Sequence, residues 1–208
     1  QPAPVSGARP LVDQWRRGVA AAECAPCLLR ILLVVFFLVG TAAAARGTAG
    51  RYTHTTMPGI LIFKFGALGD ILMAAPIVRR IAESHAGESI CVLTSDEHRD
   101  FFAGWPGISI QSFPRRGAGA MWRALRWIRR GRFRRIYDLQ SSDRSALLCA
   151  FSGVRERVGN HPRFPYSIHP SAPWRGVGHI FDRWREVLAS AGIDPGPVAA
   201  WLPIATAE

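Results

Sequence analysis

Ile60-Leu-Ile-Phe-Lys-Phe-Gly-Ala-Leu-Gly-Asp-Ile-Leu-Met-Ala-Ala-Pro76 decides the fold class of this chain. Its first six residues form an apolar run broken only by Lys64, short enough for a strand covered on both faces. Gly66 ends the run. From Asp70 to about Ser84 the period changes, and Ile71, Leu72, Ala75, Val78 and Ile81 fall on one side of a helix. A strand, a glycine-containing turn and an amphipathic helix, in that order, open a strand–helix–strand unit.

The alternation continues downstream. Residues 89–94 and 108–113 predict a second and a third strand, with a short helix over 96–103 between them. A basic helix is expected over 118–130, a fourth strand over 135–139, a helix over 145–152 and a fifth short strand over 156–159. The last helix is expected over 179–191, stopped by Gly192. This order predicts an α/β domain built on a Rossmann-like, doubly wound parallel sheet over residues 57–193. Residues 194–208 begin with Asp-Pro-Gly-Pro and read as a linker and a truncated end.

Residues 1–56 differ in character. They hold one apolar run of 15 residues, 31–45, which is short of the about 18–20 needed to cross a bilayer. Extension to 28–45 reaches that length if Arg30 snorkels to the interface. A membrane anchor, a secretion signal and non-native upstream sequence compete for this segment, and the first methionine, Met57, standing directly before the first strand, favours the last. Cys24-Ala-Pro-Cys27 has metal-ligand spacing but no second pair to complete a zinc site, so no metal and no cofactor are expected.

Hydrophobic residues make up 49% of the 208, enough for a buried core, which argues against wholesale disorder. The formal net charge is +11, and Lys64 is the only lysine in a chain whose other strong bases are all arginines. Arginine recognises carboxylate and phosphate bidentately. Codon bias explains an arginine excess; it does not explain one retained lysine.

Chemistry is expected first at Lys64-Phe-Gly-Ala-Leu-Gly-Asp70, because open α/β sheets bind ligands at the carboxyl ends of their strands. Gly66 and Gly69 let a ligand approach the backbone. Asp70 is placed either to cap the helix or to take a proton from a hydroxyl. Lys64 is placed to meet an acidic group. The glycine spacing is not that of a dinucleotide or P-loop fingerprint, which disfavours a nucleotide-dependent oxidoreductase.

Four segments in order then resemble one family. Lys64-Phe-Gly-Ala-Leu-Gly-Asp-Ile-Leu-Met-Ala-Ala-Pro76, Tyr137-Asp-Leu-Gln-Ser-Ser-Asp-Arg-Ser-Ala-Leu-Leu148, Arg157-Val-Gly159 and His179-Ile-Phe-Asp-Arg-Trp184 are similar to the motifs of glycosyltransferase family nine, the bacterial ADP-heptose:lipopolysaccharide heptosyltransferases. The resemblance covers roughly residues 57–193. It implies the N-terminal, acceptor-side half of a GT-B-type enzyme, an inverting transferase that uses no metal and moves heptose from ADP-heptose to the lipopolysaccharide inner core. By the same resemblance Asp70 is the general base. Lys64, Gly69 and Arg144 bind the anionic lipid A-core acceptor, and ADP-heptose belongs to a C-terminal domain this chain lacks. The implied location is cytoplasmic, peripheral on the inner face of the inner membrane.

The motifs also depart from the family pattern. Gly66-Ala67 stand where two serines are common, Met73 where some members have His, and Ser141 where Gly is usual.

Arg115 to Arg135 forms a basic stretch without an acid. Nucleic-acid binding, an anionic membrane surface and acceptor phosphates all fit it. The family resemblance favours membrane, with Arg123, Arg126 and Arg130 docking on anionic lipid and no nucleic acid as partner. Trp122, Leu125 and Ile128 fall near one face of the 118–130 helix, and Arg123, Arg126 and Arg130 on others. A truncated domain that only binds acceptor lipid or membrane, without catalysis, is the alternative function.

Overall fold

The computed structural model describes residues 59–102, 104–115, 118–174 and 178–196. The N-terminal segment, with its apolar run and Cys24-Ala-Pro-Cys27, lies outside the described residues, as does everything after residue 196.

Five strands make one parallel sheet: β1 (Gly59–Phe63), β2 (Ile90–Ser95), β3 (Ile108–Phe113), β4 (Phe133–Asp138) and β5 (Glu156–Val158). Their spatial order is β3-β2-β1-β4-β5, with every pairing parallel. The helices are α1 (Leu68–Ser84), the single turn α2 (Arg99–Phe102), α3 (Ala118–Arg130), α4 (Asp143–Phe151) and α5 (Ile180–Ser190). This is the doubly wound sheet that the alternation predicts, and the strand order reverses between β1 and β4.

Period two along β1 sorts its side chains into two cores. Ile60 and Ile62 pack with Ile71, Val78 and Ile81 of α1 and with Trp184 and Leu188 of α5. Leu61 and Phe63 pack on the other side with Ala124 and Ile128 of α3 and with Leu148 and Cys149 of α4. Every β1 residue is buried, which is why that strand reads as an unbroken apolar run.

Several boundaries differ from the sequence expectation, among them the end of β1, which stops at Phe63 and not at Phe65. α1 begins at Leu68, so Asp70 is its third residue and not its cap; Ala67 occupies the cap with an extended backbone and no side-chain bond. β4 begins at Phe133, two residues early, because Arg134 and Arg135 are held in the strand by acidic partners. α4 begins at Asp143 behind a Ser142–Ser145 capping box. On α3 the fully buried stripe is Ala120, Ala124 and Ile128, with Trp122 and Leu125 only half-buried, since alanine permits the closer helix–sheet approach.

Candidate active site

The carboxyl ends of β1 and β4 meet where the strand order reverses. Gln140, just past β4, accepts a hydrogen bond from the Phe65 amide at 2.8 Å and so ties the two ends together. Behind it, Asp138 is fully buried and takes hydrogen bonds from the amides of Gln140 (3.0 Å) and Ser141 (2.9 Å) and from the Tyr166 hydroxyl (2.6 Å). Burial pushes the Asp138 carboxyl above the usual range while those donors pull it down. The same burial, with the Asp138 charge beside it, holds the Tyr166 hydroxyl protonated and donating.

Two departures from the family pattern now have physical content. Ser141 adopts φ 52°, the left-handed region that favours glycine, held there by its amide bond to Asp138. Gly66 stands against the general-base candidate: a β-carbon there would lie 3.0 Å from Asp70 Oδ2 and 3.4 Å from Gln140 Oε1. A serine in its place would push one of them aside. In the Arg157-Val-Gly159 segment a β-carbon on Gly159 would collide with the Tyr166 ring, so glycine clears the path of Tyr166 to Asp138.

Asp70 is exposed at the first turn of α1, and no described residue hydrogen-bonds to its carboxylate. Gly69 beside it is exposed, and a β-carbon there would meet nothing within 4 Å, so a ligand can reach the backbone. Lys64 takes a different course. It is 3% exposed, on the α1 and α5 side of the sheet, with its ammonium 3.4 Å from the Leu139 carbonyl and 5.0 Å from the Trp184 ring centre. Burial lowers its pKa, opposed by the negative charges of Asp70 and Asp138. Its charge therefore sits behind the Asp70 carboxylate.

On the opposite face of the sheet lies a cavity of about 210 Å³, between the ends of β1, β2 and β3 and the helices α3 and α4. Arg144 reaches it, and so does Arg115; Arg144 Nη1 donates to the Arg115 carbonyl. Gly66 and Gln140 line it as well, and Gly66 is the lining residue next to Asp70. Thr94 and Ser95, 1% and 2% exposed and on opposite faces of β2, also border it, and among the described residues their hydroxyls have no hydrogen-bond partner. The cavity thus takes in Gly66 and Arg144, Gly66 stands beside the Asp70 carboxylate, and neither Asp70 nor Lys64 lines the cavity.

Sequence reasoning missed Gln140, Thr94, Ser95 and Arg115 as cavity residues. Gln140 carried a signal as part of Tyr137-Asp-Leu-Gln, and Arg115 as the start of the basic stretch. Thr94 and Ser95 read as ordinary strand residues, and their lack of partners is a three-dimensional fact. His179, whose function the sequence left undecided, caps α5 by accepting from the Phe181 amide at 3.2 Å. Arg183 of the same motif is buried and holds the 160–172 loop through Asn160 and the Ala172 carbonyl.

The basic stretch divides into three populations. Arg115 lines the cavity. Arg123, Arg126, Arg129 and Arg130 are exposed on the outer face of α3. Arg134 and Arg135 are paired with Glu88 and Glu156 at 2.5 Å each, at the amino end of the sheet. Among the described residues no group of three or more His, Cys, Asp or Glu is placed to hold a metal ion, and no helix is long and apolar enough to cross a membrane.

No family model matches the chain, and no curated protein matches it. Solved structures do. A glycosyl transferase family 9 protein from Veillonella parvula DSM 2008 superposes with a TM-score of 0.59 at 16% identity, over 71% of this chain and 45% of its own. E. coli ADP-heptose lps heptosyltransferase II gives 0.55 at 18%, over 71% and 47%. E. coli heptosyltransferase WaaC, solved with ADP-2-deoxy-2-fluoro heptose, gives 0.53 at 13%, over 68% and 50%. The shared fold is the Rossmann-like fold of GT-B-type glycosyltransferases, as the sequence motifs imply. The chain spans about half the length of these structures.

Proposed function

We propose that this chain is the acceptor-side half of an inverting, metal-independent glycosyltransferase of family nine, transferring heptose from ADP-heptose to the lipopolysaccharide inner core. The observation that carries the reading is an exposed Asp70, with no hydrogen-bond partner among the described residues, at the point where the strand order reverses, inside a fold shared with heptosyltransferases. Four motifs matching that family in order support it.

In this reading the acceptor hydroxyl attacks the anomeric carbon of the donor. The new C–O bond forms as the bond to the ADP oxygen breaks, and ADP departs with the electron pair. Asp70 takes the hydroxyl proton as attack proceeds, a contribution of about 10²–10⁴-fold for a well-placed base. Gly66, with no β-carbon, keeps the carboxylate next to the cavity. Arg144 holds the acceptor's carboxylate or phosphate, and Gly69 leaves the backbone open to it. Lys64 supplies positive charge from behind; touching the acceptor directly would take its ammonium off the Leu139 carbonyl and the Trp184 ring. In this reading ADP-heptose is held by residues other than those of the sheet domain. Arg123, Arg126 and Arg130 dock the helix on anionic lipid at the cytoplasmic face of the inner membrane, where the acceptor is embedded.

The test offers the full-length protein ADP-heptose and a lipopolysaccharide inner-core acceptor, with chelator present, and follows ADP release. Acceptor-dependent release and an inverted linkage are expected. Transfer from a different nucleotide sugar alone overturns the donor assignment, and no transfer from any donor overturns the enzyme.

A further inference from the structure

Beyond β1 the Lys64 amide still bonds to the Leu93 carbonyl at 3.0 Å, and the chain then runs into α1 with little of its own to fix its path. The cap position, Ala67, makes no side-chain bond, and a helix end without one frays readily. Asp70 sits in that first turn. What steadies the entry comes from beyond β4. Gln140 Oε1 accepts from the Phe65 amide at 2.8 Å, and it flanks with Asp70 Oδ2 the space that a Gly66 β-carbon would fill, 3.4 Å and 3.0 Å from that point. Gln140 is held in turn by Asp138, whose Oδ1 accepts from the Gln140 and Ser141 amides. The Tyr166 hydroxyl donates to Asp138 Oδ2 at 2.6 Å and fixes the carboxylate.

We propose that Asp138 is a positioning residue for Asp70: it locks the turn after β4, so that Gln140 clamps the entry to α1 and sets the base in place. Two observations separate this from ordinary packing. Asp138 is 1% exposed, and a carboxylate so deeply buried costs more than an apolar side chain of similar size. What the carboxylate does there, and an apolar group cannot, is accept from two consecutive amides. The second observation is Ser141, the one described residue other than glycine at positive φ, 52°. An L-residue left to itself leaves that region, so the turn is strained against its anchor and opens when the anchor is removed. The positioning role rests on the reading of Asp70 as the base; the clamp of Gln140 on Phe65 does not.

Three variants of the full-length protein read this chain of bonds: Asp138→Ala, Asp138→Asn, and Asp138→Ala combined with Ser141→Gly. Each is followed by hydrogen exchange at the Phe65 amide and by kcat and acceptor KM. Asp138→Ala is expected to speed Phe65 exchange and to lower kcat, each at least about tenfold, with a smaller change in KM, because the base is displaced. Asparagine keeps an oxygen for both amides, so Asp138→Asn is expected to lose less on both counts. Glycine adopts φ 52° without strain, so adding Ser141→Gly is expected to return about fivefold in kcat. Gln140→Leu deletes the clamp and leaves Asp138 in place. It is expected to match Asp138→Ala in exchange and kcat, and it tests the same link if Asp138→Ala does not fold.

Faster Phe65 exchange with undiminished kcat overturns the proposal, because the bonds would then serve stability alone. Unchanged exchange in both Asp138→Ala and Gln140→Leu overturns it as well. A fall in kcat that Ser141→Gly does not relieve overturns the part given to the strained turn. If Asp70→Asn abolishes transfer and Asp138→Ala leaves it whole, the base stands and the positioning role falls. If the unaltered protein transfers nothing and Phe65 exchange still responds as described, the clamp stands and the transferase reading falls.

Discussion

The two ends of the sheet spend their polar groups differently. At the amino end, Arg134 clasps Glu88 with two bonds of 2.5 Å and reaches Glu156 at 3.3 Å, and Arg135 takes Glu156 at 2.5 Å. Tyr137, wholly buried, joins that cluster to the core: its hydroxyl lies 2.8 Å from His85 Nε2 and 3.0 Å from Arg135 Nη1. His85 is 3.0 Å from Glu88 through its other nitrogen, and burial lowers its pKa, so the ring is held as the neutral form. Each of these groups finds its partner within the network. At the carboxyl end no described residue hydrogen-bonds to the Asp70 carboxylate, the Thr94 and Ser95 hydroxyls have no partner among the described residues, and Arg144 and Arg115, the latter 3.8 Å from Glu97, line a cavity. Both ends draw on the same arginine-rich composition. Composition alone therefore says little about where the chemistry is; what distinguishes the ends is whether the bonds are already made.

Substitutions at the two ends should diverge accordingly. Tyr137→Phe deletes one hydroxyl at the amino end and strands both His85 Nε2 and one Arg135 donor, so a loss of about 1–3 kcal/mol is expected, read from the midpoint of denaturant unfolding. A smaller loss would mean that water takes over the released partners, and the amino end would no longer count as saturated. The exposed arginines of α3 belong to neither end, and the effect there is smaller. Arg126→Ala should leave the midpoint unchanged and lower partition onto anionic vesicles about fivefold at low salt, the equivalent of about 1 kcal/mol per arginine at a charged surface. Equal retention on anionic and zwitterionic vesicles would remove membrane docking from the account.

The fold was readable because its signals are local. A five-residue buried strand followed by a glycine and a 3.6-residue period leaves few alternatives, and the reversal of strand order follows from the doubly wound class. What failed to show were features set by distant partners. The start of α1 carries no side-chain cap, so nothing in the sequence marks Ala67. Arg134 and Arg135 look like the tail of a basic stretch until Glu88 and Glu156 are seen beside them. Asp70 and Arg144 stand out by motif; Arg144 lines the cavity, and Asp70 stands beside Gly66 at its edge. Lys64, equally prominent by motif and by its uniqueness, faces the other core, because side chains alternate along β1 and its extension. Thr94 and Ser95 were invisible for the plainest reason: a missing partner leaves no trace in a sequence.

The central claim is that the unspent groups at the carboxyl end carry the reaction and the saturated amino end carries stability. The most direct test measures kcat and Tm of Asp70→Asn in the full-length protein, with Tyr137→Phe alongside. The account predicts at least a ~10²-fold fall in kcat for Asp70→Asn at unchanged Tm, and the reverse pattern for Tyr137→Phe. Undiminished turnover by Asp70→Asn would contradict it.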